Sequence, residues 1–318
     1  MITTGGDMYS RFARVLIAVG VAATASMASA QTRKQPEMIA GCPTENFLAW
    51  HHCALEKAKT FTPPRTPSGK PDLQGYWQPS RPVQDFSVEG IPEDHPSITA
   101  LPPGYPGYAW YAGPSLIVEP SDQKIPYQPW AARIGRAGVN FREYLDPHAE
   151  CATPGVPRLA AANHATSQIL QPPTDDHVLW LREGQFRVIA VDSRPSVGRD
   201  VKTWNGLSRS WWEGNTLVID TSNFNGYTWL DDSGNFYTDN ARITERVTMV
   251  DRDTIHYQAT IDDPTVYIRP WTMVWSLVRD TTPSFELFES ACREGDRDVA
   301  IQLHQGFKLY YGVPWRFR

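Results

Sequence analysis

Two carboxylates stand out where this chain alternates polar with apolar residues. Glu245 shares the parity of Ile243, Val247 and Met249, and Glu289 shares that of Phe285, Leu287 and Ala291. On a strand, residues of one parity share one face. A carboxylate turned into an apolar face is costly unless it is paired or protonated. In a pocket, the same burial pushes its pKa toward neutrality, where acid–base catalysis works best. His164 and His256 join Glu245 and Glu289 as candidate acids or bases. Arg187 and Arg209 are the cations that would orient an oxyanion or phenolate. Each has a structural alternative. Glu245 could pair at the surface with its neighbour Arg246, and Arg209 could close the end of a barrel as a salt bridge. His256 lies opposite Ile255 and Tyr257, which turns it toward solvent.

Other chemistries find less support. Gly206-Leu207-Ser208-Arg209-Ser210 lacks the second glycine and the strand–turn–helix setting of a nucleophile elbow. The chain has no H-E-x-x-H, no H-x-H and no C-x-x-C, and His51 and His52 point to different sides of a helix, so no metal centre is expected. No glycine-rich phosphate loop is present, so no organic cofactor is expected either. Aromatic residues are the more informative group. Trp180, Trp212, Tyr257, Trp271, Trp275 and Phe288 recur along the apolar stretches. They could stack on an aromatic ligand, or they could be core packing.

The elements that must position these residues are short strands. Ser167–Leu170, His177–Leu181 and Phe186–Val191 come first. Leu207–Trp212 and Thr216–Asp220 flank Glu213-Gly214-Asn215, and Arg242–Val250 and Thr254–Ile261 flank Asp251-Arg252-Asp253. Trp271–Arg279 and Phe285–Ala291 follow, and Gly75-Tyr76-Trp77 supplies an earlier strand. Turn-punctuated alternation of this kind predicts an antiparallel meander that closes into a barrel. No β-α-β unit appears, which removes most nucleotide-binding folds. Residues 1–30 have the plan of a signal peptide: Arg11 and Arg14, an apolar run Val15–Met27, then Ala28-Ser29-Ala30. Residues 31–72 form a leader and linker, with a helix expected over Glu45–Lys57 behind a Thr44 cap. Residues 73–160 form a proline- and aromatic-rich wrap that holds the first strand and one helix near Pro129–Tyr144. Residues 161–318 form the barrel.

The charge balance, 30 Lys and Arg against 35 Asp and Glu, gives a net charge of −5. A mildly acidic surface argues against nucleic acid and anionic membranes as partners. The apolar run is too short for a comfortable bilayer span, so no membrane insertion is expected once the leader is removed. Four cysteines suit an oxidising compartment, periplasmic or extracellular. Of three pairings, proximity favours Cys42 with Cys53, and Cys151 with Cys292 bracketing the meander.

Several segments together resemble a large family of exported bacterial β-barrel proteins. Gly206-Leu207-Ser208-Arg209-Ser210-Trp211-Trp212-Glu213-Gly214-Asn215-Thr216-Leu217-Val218 is similar to the family's S-R-G-R-W-E-G-N-T-L-V. Pro71-Asp72-Leu73-Gln74-Gly75-Tyr76-Trp77 is similar to its P-D-L-x-G-x-W opening. Gly155-Val156-Pro157-Arg158, Asn163-His164, Ile243-Thr244-Glu245-Arg246, Asp262-Asp263-Pro264, Arg269-Pro270-Trp271 and Phe288–Gly295 fit further positions. The match spans roughly residues 65–300. Gly75-Tyr76-Trp77 also resembles the G-x-W opening of lipocalins, where the tryptophan plugs the closed barrel end. The resemblance implies a lipocalin-like barrel, and it implies no particular reaction. Trp211 stands where the family usually has arginine.

The expectation is therefore a mainly β, exported, lipocalin-like barrel with a proline-rich N-terminal wrap and one or two short helices. Its expected partner is a small apolar molecule, of aromatic and phenolic type, a lignin-like aryl ether being one example. The expected activity is cofactor-free acid–base conversion, by a hydrolase, lyase or isomerase. A non-catalytic carrier is the alternative. A barrel with a filled centre and an exposed aromatic patch would instead suit an envelope interaction protein.

Overall fold

A computed structural model describes residues 38–80, 87–91, 113–135, 144–148, 150–160, 166–182, 184–192, 198, 200–288 and 298–313. In chain order its strands are β1 (Met38–Ile39), β2 (Cys42–Pro43), β3 (Gly75–Pro79), β4 (Ile117–Glu119), β5 (Ser167–Leu170) and β6 (His177–Arg182). They continue as β7 (Gln185–Val191), β8 (Leu207–Glu213), β9 (Thr216–Ser222), β10 (Arg242–Asp251), β11 (Thr254–Asp262) and β12 (Trp271–Arg279). The helices are α1 (Phe47–Thr60), α2 (Pro129–Gly135) and α3 (Asp298–His304).

Strands β3 and β5 to β12 close a barrel, because β12 pairs both with β11 and back onto β3. Closure leaves no free edge. β4 pairs with the first half of β12, where β3 does not reach. Two features depart from the expected meander. β7 and β8 run parallel, through Ala190↔Arg209 and Val191↔Ser210. The two strands are separated by residues 192–206 in the chain, so they are not the arms of a tight hairpin. The expected strand at Phe285–Ala291 is not formed over residues 285–288, and residues 289–291 lie outside the described set. β12 is already flanked by β11 on one side and by β3 and β4 on the other, so the closed wall has no vacancy beside it.

Register sets the inner face. One rank runs Trp212, Leu217, Val247, Tyr257, Trp275, and another runs Ile169, Trp180, Arg187. Trp180, Tyr257 and Trp275 are almost wholly buried. Each large apolar side chain so buried stabilises the fold by roughly 1.5–3 kcal/mol.

The two ends of the barrel differ. One end carries the short turns at Gly214-Asn215 and Arg252-Asp253, and Trp77 is wholly buried beside it, paired with Arg279. The indole Nε1 of Trp77 donates to Leu73 O at 2.8 Å, and the Arg279 guanidinium lies 4.1 Å above the ring. Gly75 makes that stacking fit. Its φ of +133° disfavours any side chain, and a Cβ there would lie 2.3 Å from Arg279 Nη1. The other end carries the long connections 223–241 and 263–270. The described parts of the wrap reach it: Tyr127 bridges to Tyr267, and Val88 N donates to Asp231.

Helix α1 starts later than the Thr44 cap predicts. Asn46 is the cap, and its Oδ1 accepts from Leu48 N and Ala49 N. The helix buries Phe47, Trp50 and Ala54 against the outside of β10, β11 and β12. The Cys42–Cys53 disulfide ties it to β2. Cys151 is also disulfide-bonded. Cys292, its expected partner, lies outside the described residues. Among the described residues no helix is long and apolar enough to cross a membrane.

Candidate functional site

The inward-facing polar residues gather on the wall formed by β6 to β10. Arg187 on β7 reaches across β8 and β9 to Glu245 on β10. Its Nη1 donates to Glu245 Oε1 at 2.8 Å and its Nη2 to Glu245 Oε2. The same guanidinium donates to Ser208 Oγ from Nε at 3.1 Å and from Nη2 at 2.8 Å, and to Thr221 Oγ1 at 2.8 Å. Tyr257 donates its hydroxyl to Glu245 Oε1. The fork-on-fork geometry is the strong form of an ion pair. Such a pair is tolerable inside a barrel because nearly every lone pair and N–H in it is used.

Glu245 and Tyr257 have 0 % relative exposure, so no water-sized probe reaches either. Burial works to lower the Arg187 pKa, and the adjacent Glu245 charge and hydrogen bond outweigh it, holding the group above its ordinary value. Burial first, and then the Glu245 charge, push the Tyr257 phenol well above its ordinary value. Tyr257 is therefore a fixed hydrogen-bond donor, and Glu245 is an acceptor already in use.

Three aromatic rings continue this layer. Tyr257 stacks on Trp275 with centroids 4.2 Å apart, and Trp180 meets Tyr257 edge-on at 6.0 Å. The Nε1 atoms of Trp180 and Trp275 and the Oε1 of Gln185 are buried with no hydrogen-bond partner. All three residues share the inner face by register.

A second buried ionic group sits at the long-loop end. Arg158 donates to Asp146 through Nη1 at 3.0 Å and Nη2 at 2.7 Å, and it also donates to Asp232. Burial opposes the ionisation of Asp146, but the charge and hydrogen bonds of Arg158 hold its pKa below the ordinary value. His148 lies beside them, with its pKa lowered to about 4 by burial and then by the Arg158 charge. Asp231 is pushed up to about 6 by burial, even though it accepts from Val88 N, Ser233 N, Asn235 N and Asn235 Nδ2. This cluster fastens Asp146 and Arg158 to Asp232 in the β9–β10 connection.

The residues singled out from the sequence are thus only partly brought together. Arg187, Glu245 and Tyr257 converge, and Trp180, Trp271 and Trp275 are buried on the same inner face. Trp212 shares that face and is half-buried. Arg209 is on the outer face of β8, 3.7 Å from Asp192. Phe288 is 75 % exposed and stands outside the barrel. His164 and Glu289 lie outside the described residues. His256 is turned outward, as parity requires, but it is buried under α1 instead of facing solvent. Sequence reasoning missed Arg158, although the G-x-P-R segment contained it. The missing signal was its carboxylate partners, which lie 12 and 74 residues away.

Among the described residues no group of three or more His, Cys, Asp and Glu comes together in a way that could hold a metal ion. Comparison of the chain with protein-family models, with curated proteins and with solved structures gave no match.

Proposed function

We propose that this protein is an exported small-molecule binding barrel that admits an apolar, aromatic compound carrying a polar group through its long-loop end. The observation that supports this reading is the set of unpaired inward groups. Trp180 Nε1, Trp275 Nε1 and Gln185 Oε1 have no partner, in a layer where Arg187, Glu245 and Tyr257 are fully engaged. Buried polar groups are nearly always paired, and an orphan group calls for a water or a ligand atom. Two donors and one acceptor beside stacked rings suit an aromatic molecule with a hydroxyl or carbonyl substituent. The bulky, wholly buried Trp77 at the short-turn end favours the long-loop end as the way in.

Carriage is favoured over turnover by the state of Glu245. Its two oxygens accept twice from Arg187, once from Tyr257 and, at 3.5 Å, from Thr221 Oγ1, so all four acceptor positions of the carboxylate are engaged. The test is to incubate the purified protein with pools of phenolic and terpenoid compounds, then analyse the retained and released masses. Retention of unchanged compounds supports the carrier. New product masses would restore the acid–base enzyme. A protein that retains nothing would end the small-molecule reading and favour an envelope interaction protein.

A further inference from the structure

Outside the barrel, α1 and β11 bring two imidazoles face to face. His51 Nδ1 lies 2.9 Å from His256 Nε2. Two features prepare His256 as a ligand. Its ring lies parallel to Trp50, 12° between planes and 5.2 Å between centroids, which fixes its orientation. Its 1 % exposure keeps water away from the donor atom. His51, by contrast, is half-buried on a helix surface and is free to adjust.

We propose that the His51–His256 pair is a two-coordinate site for a soft, closed-shell monovalent cation of the copper(I) or silver(I) kind. The absence of a third donor selects the ion. Zinc requires four ligands in a structural site, and no third His, Cys, Asp or Glu joins the pair among the described residues. An ion that accepts two opposed imidazole nitrogens in a line fits a dry, two-donor cleft. Binding opens the N···N separation from 2.9 Å to about 4 Å, twice a metal–nitrogen bond of about 2 Å. The ion replaces the hydrogen bond between the rings. The proton that bridges the two facing nitrogens moves to the other nitrogen of the ring that carries it, so both imidazoles remain neutral and no proton is released. His52 is the remaining imidazole nearby, its ring centroid 5.4 Å from that of His51 and its side chain exposed.

The test titrates the disulfide-intact protein with silver(I), and with copper(I) under anaerobic competition from a chromophoric chelator. Stoichiometry and Trp50 fluorescence are the readouts. One ion per chain is expected. His51→Leu and His256→Leu should each weaken binding by about 30-fold or more, and His52→Leu should leave it within about threefold. Zinc(II) should bind the wild type no better than it binds His51→Leu. Silver affinity unchanged in His51→Leu would overturn the site. Equal loss in His52→Leu, or a preference for zinc, would overturn the two-coordinate assignment. If His256→Leu fails to fold, His51→Leu decides, because its side chain is only half-buried.

Discussion

Removing one half of the buried ion pair should harm the fold far more than removing both. In Arg187→Met, the Glu245 carboxylate keeps the Tyr257 hydroxyl but loses the one cation that pairs with it among the described residues, at a position with no exposure. An uncompensated charge of this kind costs about 3–5 kcal/mol. For a chain of this size that is a fall in Tm of roughly 6–20 °C. Replacing both partners, as Arg187→Met with Glu245→Leu, removes both charges. Ser208 and Thr221 still bond each other at 3.1 Å, but the Tyr257 hydroxyl is left without an acceptor. That orphan costs about 1–3 kcal/mol. Adding Tyr257→Phe should recover most of it, so the triple variant should be more stable than the Arg187→Met single. Urea unfolding with the disulfides intact measures this ordering, provided the m-value is unchanged across the set. An Arg187→Met cost below about 1 kcal/mol, or a triple variant less stable than the single, would refute the claim that charge burial dominates here.

Acid should weaken the loop end. The His148 pKa is lowered to about 4, so the unfolded chain takes up protons first as pH falls through 6.5. The stability tied to neutral His148 is present above pH 6.5 and is lost toward pH 4, by up to about 3 kcal/mol. His148→Gln should flatten that part of a urea-midpoint profile against pH, and an unchanged profile would exclude His148 as its source. Gly75→Ala should displace Arg279 from the Trp77 ring, because of the clash and the positive φ, and cost about 1–3 kcal/mol by chemical denaturation. A loss within error would mean that the barrel end does not depend on that stacking. Asn46→Ala should cost about 1 kcal/mol and speed amide exchange in the first turn of α1 before any other element; uniform acceleration across the barrel would contradict a local cap.

Sequence alternation located the strands because each wall residue meets either core or outside. It could not decide which parity of β7 faces in. Phe186, Val188 and Ala190 make one row, and Arg187, Ile189 and Val191 make the other. By hydrophobicity the first row belongs inside, yet Phe186 is 68 % and Val188 50 % exposed while Arg187 is buried. The deciding partner is Glu245, 58 residues away and three strands further round the wall. Only closure of the barrel places it opposite Arg187, so the pairing could not be read from either strand alone. The same limit explains His256. Its parity was legible, but the helix that covers it is some 200 positions earlier in the chain.

The segments that carried the resemblance then acquire physical roles. Trp77 packs under Arg279 and bonds Leu73 O, Glu245 anchors Arg187, Arg158 clamps two aspartates, and Asp263 accepts from Thr238 N at 2.7 Å and Thr238 Oγ1 at 2.8 Å. These are demands of building the barrel, and any ligand would leave them unchanged. Residues with these roles specify the fold and are silent on the function. What the frame leaves open to a ligand, among the described residues, is the set of inward groups without a partner, and Trp180, Gln185, Trp271 and Trp275 belong to it.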